Sequence, residues 1–196
     1  MNLPYDSKKA VVNPDESALV VVDMQKDFCY EDGALFVGDA VEVIISRIGE
    51  LIEKAIRKKI RLIFTQDWHS SDDDEFKVWG RHCIRDTKGA EIIDALSPFL
   101  KEAYVVKKQQ YSAFFGTGLY AHLKEKGIRT LIIVGVTTNI CVLHTVIDAS
   151  LRGHEIIVPK DCVAALSDYE QEYGLWHIKC ILKGSITSSG NITFSN

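Results

Sequence analysis

Groups that could attack, protonate or polarise a carbonyl compound follow four short apolar runs of the sequence. They are Asp23 after 18–22, Asp67 and His69 after 60–65, Lys107 and Lys108 after 103–106, and Cys141 after 130–135. A thiol attacks a carbonyl carbon once a neighbouring base takes its proton and a cation balances the charge. Each residue type is common alone, so the prediction of a reactive site depends on their shared position after an apolar run.

Cys141 is the candidate nucleophile of this set. It stands two residues after Asn139, where a helix is predicted to begin, and backbone N–H groups at a helix start stabilise a thiolate. Asp23 could take the thiol proton, and Lys107 or Lys108 could supply the positive charge. A small buried core cysteine is the alternative, and position alone leaves both interpretations open.

A second cluster has the composition of a metal site. Asp67 and His69 are two residues apart, so an extended segment would place both side chains on one face. Glu75 and His82 follow within a polar stretch. Two imidazoles with one or two carboxylates suit zinc, and also iron or manganese. The alternative is that these residues are ordinary polar side chains of a loop.

The apolar runs and the segments between them indicate the fold. Short β-branched runs are typical of strands buried on both faces of a parallel sheet, and segments with helical spacing of apolar residues separate them. The predicted strands are 18–22, 60–65, 103–106, 130–135 and 155–158, with an edge strand at 185–187, and the predicted helices are 39–59, 90–96, 119–126, 139–151 and 167–182. This alternation predicts an α/β fold, a three-layer α/β/α arrangement of Rossmann-like type, with a central parallel sheet of about five to six strands.

The predicted sheet brings the reactive groups together. Binding sites of open parallel sheets form at the carboxyl ends of the strands, so the groups that follow the four runs share one edge. The polar stretch from 70 to 88 is longer than a simple connection, and long loops in compact domains are usually functional. We therefore expect a site at this edge with the polar stretch beside it.

Length and composition limit the class of protein. The chain has 196 residues, 46% hydrophobic and 26% charged, which suits one domain over 1–196 with an N-terminal extension at 1–16. A net charge of −4 disfavours nucleic acid or an anionic membrane as a partner. There is no C-x-x-C pair, no signal-like apolar run and no membrane-spanning run. We expect a reduced cytoplasmic protein with a small-molecule partner and leave open a homo-oligomer.

Five longer blocks contain most of the candidate residues. They are ALVVVDMQKDF at 18–28, TQDWH at 65–69, WGRHCIRDTKGAE at 79–91, KQQYSAFFGTGL at 108–119 and GVTTNICVLHTVIDA at 135–149. In type and order these blocks resemble the isochorismatase-like cysteine hydrolase family, and the D-x-H pair with a later W-x-x-H resembles its nicotinamidases. The resemblance implies that family's fold and the hydrolysis of nicotinamide to nicotinate and ammonia through a thioester, a step of NAD salvage.

The resemblance also implies catalytic roles. The triad would be Asp23, Lys108 and Cys141, with the preceding lysine as the fallback, because the family lysine lies three residues before the tyrosine of Y-S-A-F. The Val136–Thr137 peptide would be cis. The backbone N–H groups of Thr137 and Cys141 would then face the substrate oxygen as an oxyanion hole.

Metal and substrate contacts follow from the same resemblance. One divalent ion, zinc before iron or manganese, would bind Asp67, His69 and His82, with Glu75 as a direct or water-mediated fourth ligand. The ion would hold a pyridine nitrogen rather than the scissile carbonyl. The residues matching the walls around the substrate ring are Phe28, Trp79, Tyr111 and Val136.

Several positions depart from the family pattern. A proline of the metal loop is replaced in Gly80-Arg81-His82, the usual Asp two residues before the nucleophile is Asn139, and the stretch between His69 and Trp79 is short. The alternative function is therefore a metal-free member of the same superfamily that acts on a carbamoyl, ureido or enol-ether substrate. A non-catalytic nucleotide-binding module is disfavoured because the first strand is not followed by G-x-G-x-x-G.

Overall fold

A parallel β-sheet lies at the centre of the computed structural model, which describes residues 9–195. Within that range the strands are β1 (Ala10–Val12), β2 (Ser17–Val22), β3 (Arg61–Asp67), β4 (Ala103–Lys108), β5 (Thr130–Val136), β6 (Glu155–Pro159), β7 (Val163–Ala164), β8 (Ser185–Thr187) and β9 (Ile192–Phe194). The main sheet has the order β4-β3-β2-β5-β6-β8, with β7 paired to the end of β5. All of its pairings are parallel.

Helices cover both faces of this sheet. They are α1 (Lys26–Cys29), α2 (Ala40–Arg57), α3 (Phe76–Trp79), α4 (Leu119–Glu125), α5 (Leu143–Leu151) and α6 (Asp168–Trp176). The long helix α2 buries one apolar stripe that includes Ile44, Ile48 and Leu51 on one face of the sheet. Helices α4, α5 and α6 pack on the opposite face.

The position of β2 inside the sheet explains why its residues 18–22 are all apolar. All six of its residues are buried. Leu19 and Val21 pack in the layer with α2, whereas Val20 and Val22 pack in the layer with the other three helices. Because alternate side chains point to opposite faces, a strand covered on both sides needs apolar residues at every position.

The order of the strands creates a crevice beyond the carboxyl ends of the neighbouring strands β2 and β5. The chain adds β3 and β4 on one side of β2 and then returns to place β5 on its other side. Ligands of open α/β sheets bind at such a reversal, beyond the carboxyl ends of the strands. Asp23 follows β2 and Thr137 follows β5, so both residues lie at this reversal.

The predicted fold class is confirmed, and the predicted edge strand 185–187 is present. The predicted helix at 90–96 is wrong. This segment instead pairs with the turn after β2, since the Lys26 N–H bonds the Glu91 carbonyl and the Ile93 N–H bonds the Met24 carbonyl. Those backbone groups are then unavailable for a helix.

Three further differences concern shorter features. The helix predicted from 139 begins as a π-helical turn, Thr138–Val142, and becomes α-helical at Leu143. The polar stretch at 70–88 contains the short helix α3. Strand β7 and the β1–β9 pair have only two or three residues each, which is too short for a periodic sequence signal.

Part of the predicted N-terminal extension belongs to the folded structure. Strand β1 lies within 1–16 and pairs in parallel with β9, with Ala10 opposite Ile192 and Val12 opposite Phe194. The remainder of the extension at 1–8 lies outside the described residues. Over residues 9–195, none of the helices is both long enough and apolar enough to cross a membrane.

Candidate active site

Lys108 joins the three reactive groups at the centre of the site. Its fully buried Nζ lies 2.7 Å from Asp23 Oδ2 and 3.7 Å from Cys141 Sγ, and it donates a hydrogen bond to Asp67 Oδ1. The Lys108 ammonium therefore contacts the carboxylates of Asp23 and Asp67 and lies next to the thiol of Cys141. This arrangement contains a nucleophile, a base and a balancing cation.

The two neighbouring lysines of β4 have different surroundings. Adjacent residues of a strand point to opposite faces. Lys107 is exposed, and its Nζ lies 3.5 Å from the centroid of the Trp68 ring. Lys108 pairs in register with Asp67 of β3, which places the two side chains beside each other. Lys108 is therefore the lysine that reaches the thiol.

Asp23 is held in an unusual backbone conformation where β2 ends. Its φ of 49° lies in the left-handed region, which residues other than glycine seldom adopt. Thr65 stabilises this geometry, because its hydroxyl donates to Asp23 Oδ1 at 2.6 Å and accepts from the Asp23 N–H at 3.1 Å. The carboxylate is consequently fixed toward the crevice, and such local strain is common at functional sites.

Cys141 lies in the π-helical turn between β5 and α5, and its side chain is buried. The turn is held by the Thr137 carbonyl, which accepts from the N–H groups of Ile140 and Val142 at 3.1 Å each. The Val136–Thr137 peptide immediately before the turn is cis. Single π-helical turns of this kind are frequent at functional sites.

Burial and charge set the protonation states of the central groups. Burial raises the pKa of Asp23 to about 6, although Lys108 opposes the shift. Burial acts in the same direction on Asp67, but the charge of Lys108 lowers the pKa of Asp67 to about 2. Burial also raises the pKa of the Cys141 thiol well above its usual value, so the sulfur needs a base before it can attack.

Lys108 stays charged in this environment. Burial disfavours its ammonium, but the neighbouring carboxylates of Asp23 and Asp67 outweigh that effect and raise the pKa of Lys108 well above its usual value. The lysine therefore serves as a permanent cation, whereas Asp23 can exchange a proton near neutral pH.

Two histidines next to this centre are oriented like metal ligands. The Nδ1 atom of His69 lies 3.0 Å from Asp73 Oδ2, and that of His82 lies 2.9 Å from the Gly80 carbonyl oxygen. With Nδ1 as the donor in each ring, both Nε2 atoms are left as acceptors. Carboxylate and carbonyl partners of this kind orient histidines in metal sites.

The donor set fits a divalent metal ion. One ligand atom from each of Asp67, His69 and His82 lies within 4.8 Å of the others, and His69 Nε2 is buried with no hydrogen-bond partner among the described residues. Glu75 Oε1 lies 4.0 Å from His82 Nε2, at the rim of this set. Two imidazoles with one or two carboxylates suit zinc.

The charges around these ligands also favour a cation. Burial would lower the pKa of His69, but Asp67 and Asp73 raise it to about 9, so a metal ion would displace a proton from this ring. Burial raises the pKa of Glu75 to about 7. A metal ion would relieve both the buried negative charge and the unpaired ring nitrogen.

A pocket opens onto Cys141 and onto Asp67, Glu75 and His82. Its lining includes the predicted substrate-binding residues Phe28, Trp79, Tyr111 and Val136. The Trp79 indole N–H donates to the Tyr111 hydroxyl at 3.0 Å and links two walls that come from distant segments. The pocket wall is mainly apolar, as in most small-molecule sites.

Sequence reasoning did not find several residues that support the site. Some are polar residues whose role depends on a partner far away in the chain. Gln25, for example, bonds the Asp67 backbone in both directions, donating to its carbonyl and accepting from its N–H at 2.8 Å each. Others lie in loops without a periodic pattern. The residues not predicted are Gln25, Thr65, Asp73 and Phe76 around the reactive groups and Leu35, Val37, Ile140 and Leu166 in the pocket wall.

The sequence model of the isochorismatase domain matches residues 17–189, which is most of the chain. This chain belongs to the isochorismatase family. The crystal structure of the nicotinamidase/pyrazinamidase PncA from Bacillus subtilis superposes with a TM-score of 0.84 at 33% identity, covering 88% of this chain and 100% of that one. The chain is thus similar in fold and in sequence to an isochorismatase-family amidase.

Two other relatives of this isochorismatase-family hydrolase differ from each other in their named activity. A nicotinamidase from Acinetobacter baylyi is 31% identical, over 76% of this chain and 81% of its own length. An N-carbamoylsarcosine amidase from Thermoplasma acidophilum has a TM-score of 0.80 at 33% identity, covering 89% of this chain and 96% of that chain. This chain is about equally similar to two amidases with different substrates, so these likenesses do not identify its substrate.

Proposed function

We propose that this hydrolase is a metal-dependent cysteine amidohydrolase that converts nicotinamide to nicotinate and ammonia, as a step of NAD salvage. One observation carries the proposal. Asp67 belongs both to the ligand set with His69 and His82 and to a second compact group with Asp23 and Cys141. A substrate between the two groups needs a metal-binding atom close to a reactive carbonyl on a rigid frame. A pyridine ring with a carboxamide at its 3-position meets this requirement.

The charge of the pocket wall supports a neutral substrate. Among the residues described here, no arginine or lysine side chain lines the pocket, whereas Asp67 and Glu75 do. A substrate with its own carboxylate, such as N-carbamoylsarcosine, would find no cationic side chain in this lining to offset the cost of burying its charge. Nicotinamide carries no charge, and in our proposal its flat ring lies against Phe28, Trp79 and Tyr111, which line the pocket.

Asp67, His69 and His82 are the residues we propose as metal ligands, with Glu75 as a direct or water-mediated fourth. Zinc is the preferred ion, and iron or manganese would accept the same ligands. When bound, the ion would supply a Lewis acid for the ring nitrogen of the substrate, at a distance from the amide. The ion would then contribute to orientation, which can account for several kcal/mol of a barrier.

Chemistry at the amide is assigned to the chain's own residues. Asp23 takes the Sγ proton of Cys141, and the Lys108 ammonium stabilises the charges that result. The thiolate forms a bond to the amide carbon, and the carbonyl electron pair moves to oxygen. The backbone N–H groups of Thr137 and Cys141 are proposed to stabilise this oxyanion, as donors do in other such holes.

The same carboxyl group serves the second half of the reaction. Asp23 returns its proton to the leaving nitrogen, the C–N bond breaks, and ammonia departs from a thioester of Cys141. Water then attacks the thioester carbon while Asp23 takes a proton from it. The C–S bond breaks, Asp23 returns that proton to the Cys141 sulfur, and the acid leaves and loses its own proton to solvent as nicotinate. A pKa of about 6 lets Asp23 act as both base and acid near neutral pH.

Ammonia release from a panel of amides tests this function. We expect nicotinamide to be hydrolysed best and pyrazinamide to be accepted. Benzamide should be hydrolysed poorly, because it has the same ring shape without a ring nitrogen. N-carbamoylsarcosine is the charged comparison. Faster hydrolysis of N-carbamoylsarcosine than of nicotinamide would contradict the proposal.

A metal-free hydrolase of carbamoyl, ureido or enol-ether compounds is the second candidate. The likeness to an N-carbamoylsarcosine amidase supports it, since that structure matches this chain at the same identity as the Bacillus nicotinamidase. Metal analysis of protein purified without a His-tag and without added zinc separates the two candidates. About one equivalent of metal per chain supports the nicotinamidase, and its absence supports the second candidate.

Cellular setting and chain organisation are part of the proposal. We infer that residues 1–196 form a single hydrolase domain with an N-terminal extension at 1–16, which the pairing of β1 with β9 supports. All five cysteines are free thiols, which supports a reducing compartment such as the cytoplasm. In our proposal the protein binds a small amide, and neither a nucleic acid nor a membrane is its partner. A homo-oligomer is compatible with this reaction.

A further inference from the structure

The side chain of Thr137 lines the pocket but has no use in the mechanism above, which needs only its backbone N–H. Thr137 is 9% exposed, and its hydroxyl oxygen is buried with no hydrogen-bond partner among residues 9–195. Buried polar atoms are nearly always paired, so an unpaired one beside a nucleophile calls for an explanation. The neighbouring threonine shows the ordinary case, because the Thr138 hydroxyl donates to Gln171 Oε1 at 2.6 Å.

We propose that the Thr137 hydroxyl donates a hydrogen bond to the carbonyl oxygen of the substrate and is a third donor to the oxyanion. This inference rests on the proposed function. Three covalent bonds separate the hydroxyl oxygen from the backbone nitrogen of Thr137, so an oxygen held by that N–H is also close to the hydroxyl. The turn that follows is fixed by bonds to the Thr137 carbonyl, so the residue is preorganised.

The surroundings leave the substrate as the acceptor. No residue among 9–195 accepts a hydrogen bond from this hydroxyl, and Thr137 lines the pocket, so the acceptor has to come from a molecule bound there. A substrate oxygen gains negative charge as the thiolate attacks, so a donor aimed at it binds the intermediate more strongly than the starting amide. The hydroxyl should therefore act on the chemical step more than on substrate binding.

The test compares Thr137→Val, which keeps the shape and removes the hydroxyl, with Thr137→Ser, which keeps the hydroxyl. For nicotinamide we expect the valine variant to lose about 100- to 1,000-fold in kcat/KM, mostly in kcat, as for a donor of an oxyanion hole. The serine variant should stay within about threefold of the unchanged protein. Methyl nicotinate, an ester without an amide N–H, should show the same loss.

A second measurement uses pyridine-3-carboxaldehyde as a probe of the tetrahedral state. The Cys141 thiolate adds to the aldehyde carbon, a C–S bond forms, and the carbonyl electron pair moves to oxygen, which takes up a proton. Inhibition by this aldehyde should weaken in Thr137→Val in parallel with kcat/KM, while binding of the planar product nicotinate stays unchanged. Thr138→Val is the matched comparison, with a lower melting temperature but no selective loss of aldehyde binding.

Each other outcome contradicts the inference. A loss confined to the amide would mean that the hydroxyl accepts from the amide N–H instead, and a serine variant as poor as the valine variant would mean that the methyl group matters. If Thr137→Val does not fold, the pair Thr137→Ser and Thr137→Ala gives the same comparison. Failure of the unchanged enzyme on nicotinamide contradicts the proposed function alone, and the variants are then compared on whichever amide it hydrolyses.

Discussion

Charge compensation at single residues governs the candidate site. Two buried carboxylates, Asp23 and Asp67, share one ammonium group, and the thiol of Cys141 lies at its edge. The same ammonium lowers the pKa of Asp67 to about 2, whereas burial dominates at Asp23 and raises its pKa to about 6. Two chemically identical groups are thereby separated into a permanent anion and a proton carrier.

Replacing the proposed nucleophile should abolish turnover. For Cys141→Ala we expect kcat to fall on the order of 10⁴-fold or more, because no other group can form the thioester. Circular dichroism and metal content should match those of the unchanged protein, since the side chain is small and is not a metal ligand in our proposal. Ammonia release above a trace from the alanine variant would contradict a thioester mechanism.

The two adjacent lysines give a matched pair of substitutions. Lys108→Ala should lower kcat/KM by about 10³-fold, by analogy with the loss of one member of a catalytic triad. Lys107→Ala removes only an exposed side chain that contacts the Trp68 ring, so kcat/KM should change by no more than about twofold. Steady-state kinetics of both variants decide the matter, and equal losses would contradict the assignment.

Proton exchange at Asp23 should appear in the pH profile. In our proposal the free enzyme needs an ionised Asp23 to take the thiol proton, and burial raises the pKa of Asp23 to about 6. Protonation below that pH removes the base, so kcat/KM should fall about tenfold per unit as the pH drops below 6 and should level off above it. A profile that stays flat down to pH 4.5 in folded enzyme would show that another group serves as the base.

Predictability from the sequence differed among residues for a physical reason. Asp23, Asp67, Lys108 and Cys141 lie at or just beyond the carboxyl ends of strands, and a parallel sheet brings such positions together whatever the loops do. Thr65 and Gln25 could not be predicted in the same way. Thr65 bonds Asp23 and Gln25 bonds Asp67, in each case 42 residues away in the chain, and no local pattern encodes such a pairing.

At the level of elements, β2 and β5 lie unusually close together at the ends that border the crevice. Gly135 has a φ of +110°, and a Cβ at this position would lie 2.0 Å from the Val22 carbonyl oxygen. Both obstacles are backbone features, so neither can be relieved by rotation of a side chain. The apolar run that contains Gly135 predicts the strand, but it does not predict how close the neighbouring strand lies.

A glycine substitution tests that approach. Gly135→Ala should lower the free energy of unfolding by about 3 kcal/mol or more, because a positive φ and a backbone clash act together. Gly190→Ala is the matched control, since a Cβ added there would meet no described atom within 4 Å, and it should change the stability by less than about 0.5 kcal/mol. Urea unfolding of both variants gives the comparison, and similar midpoints would contradict the argument.

Helix boundaries show where local patterns lose to tertiary contacts. The segment 90–96 has a helical spacing of apolar residues, yet its backbone pairs with the turn after β2. That pairing fixes the loop between the carboxylate of Asp23 and the wall residue Phe28. The intrinsic helix propensity of a segment is a small contribution, and here the hydrogen bonds to the turn after β2 determine the backbone conformation instead.

For the whole molecule, the proposed metal couples substrate binding to stability. Its ligands come from the end of β3 and from the loop that contains α3, so a bound ion would join a rigid strand to a polar segment. Only in the folded chain do these ligand atoms lie close enough together to bind one ion. An ion that binds only the folded state adds about 4 kcal/mol to the free energy of unfolding when present at about 1,000 times its Kd.

Metal removal is therefore expected to affect binding and stability together. Chelated enzyme should show a higher KM for nicotinamide with a smaller change in kcat, because in our proposal the ion holds the ring nitrogen rather than the reacting amide. Its melting temperature should fall, and added zinc should restore both properties. His69→Ala should match the chelated enzyme but should not be rescued by zinc. If chelation left KM and melting temperature unchanged and no metal bound on readdition, the metal-free hydrolase would be the better description of this protein.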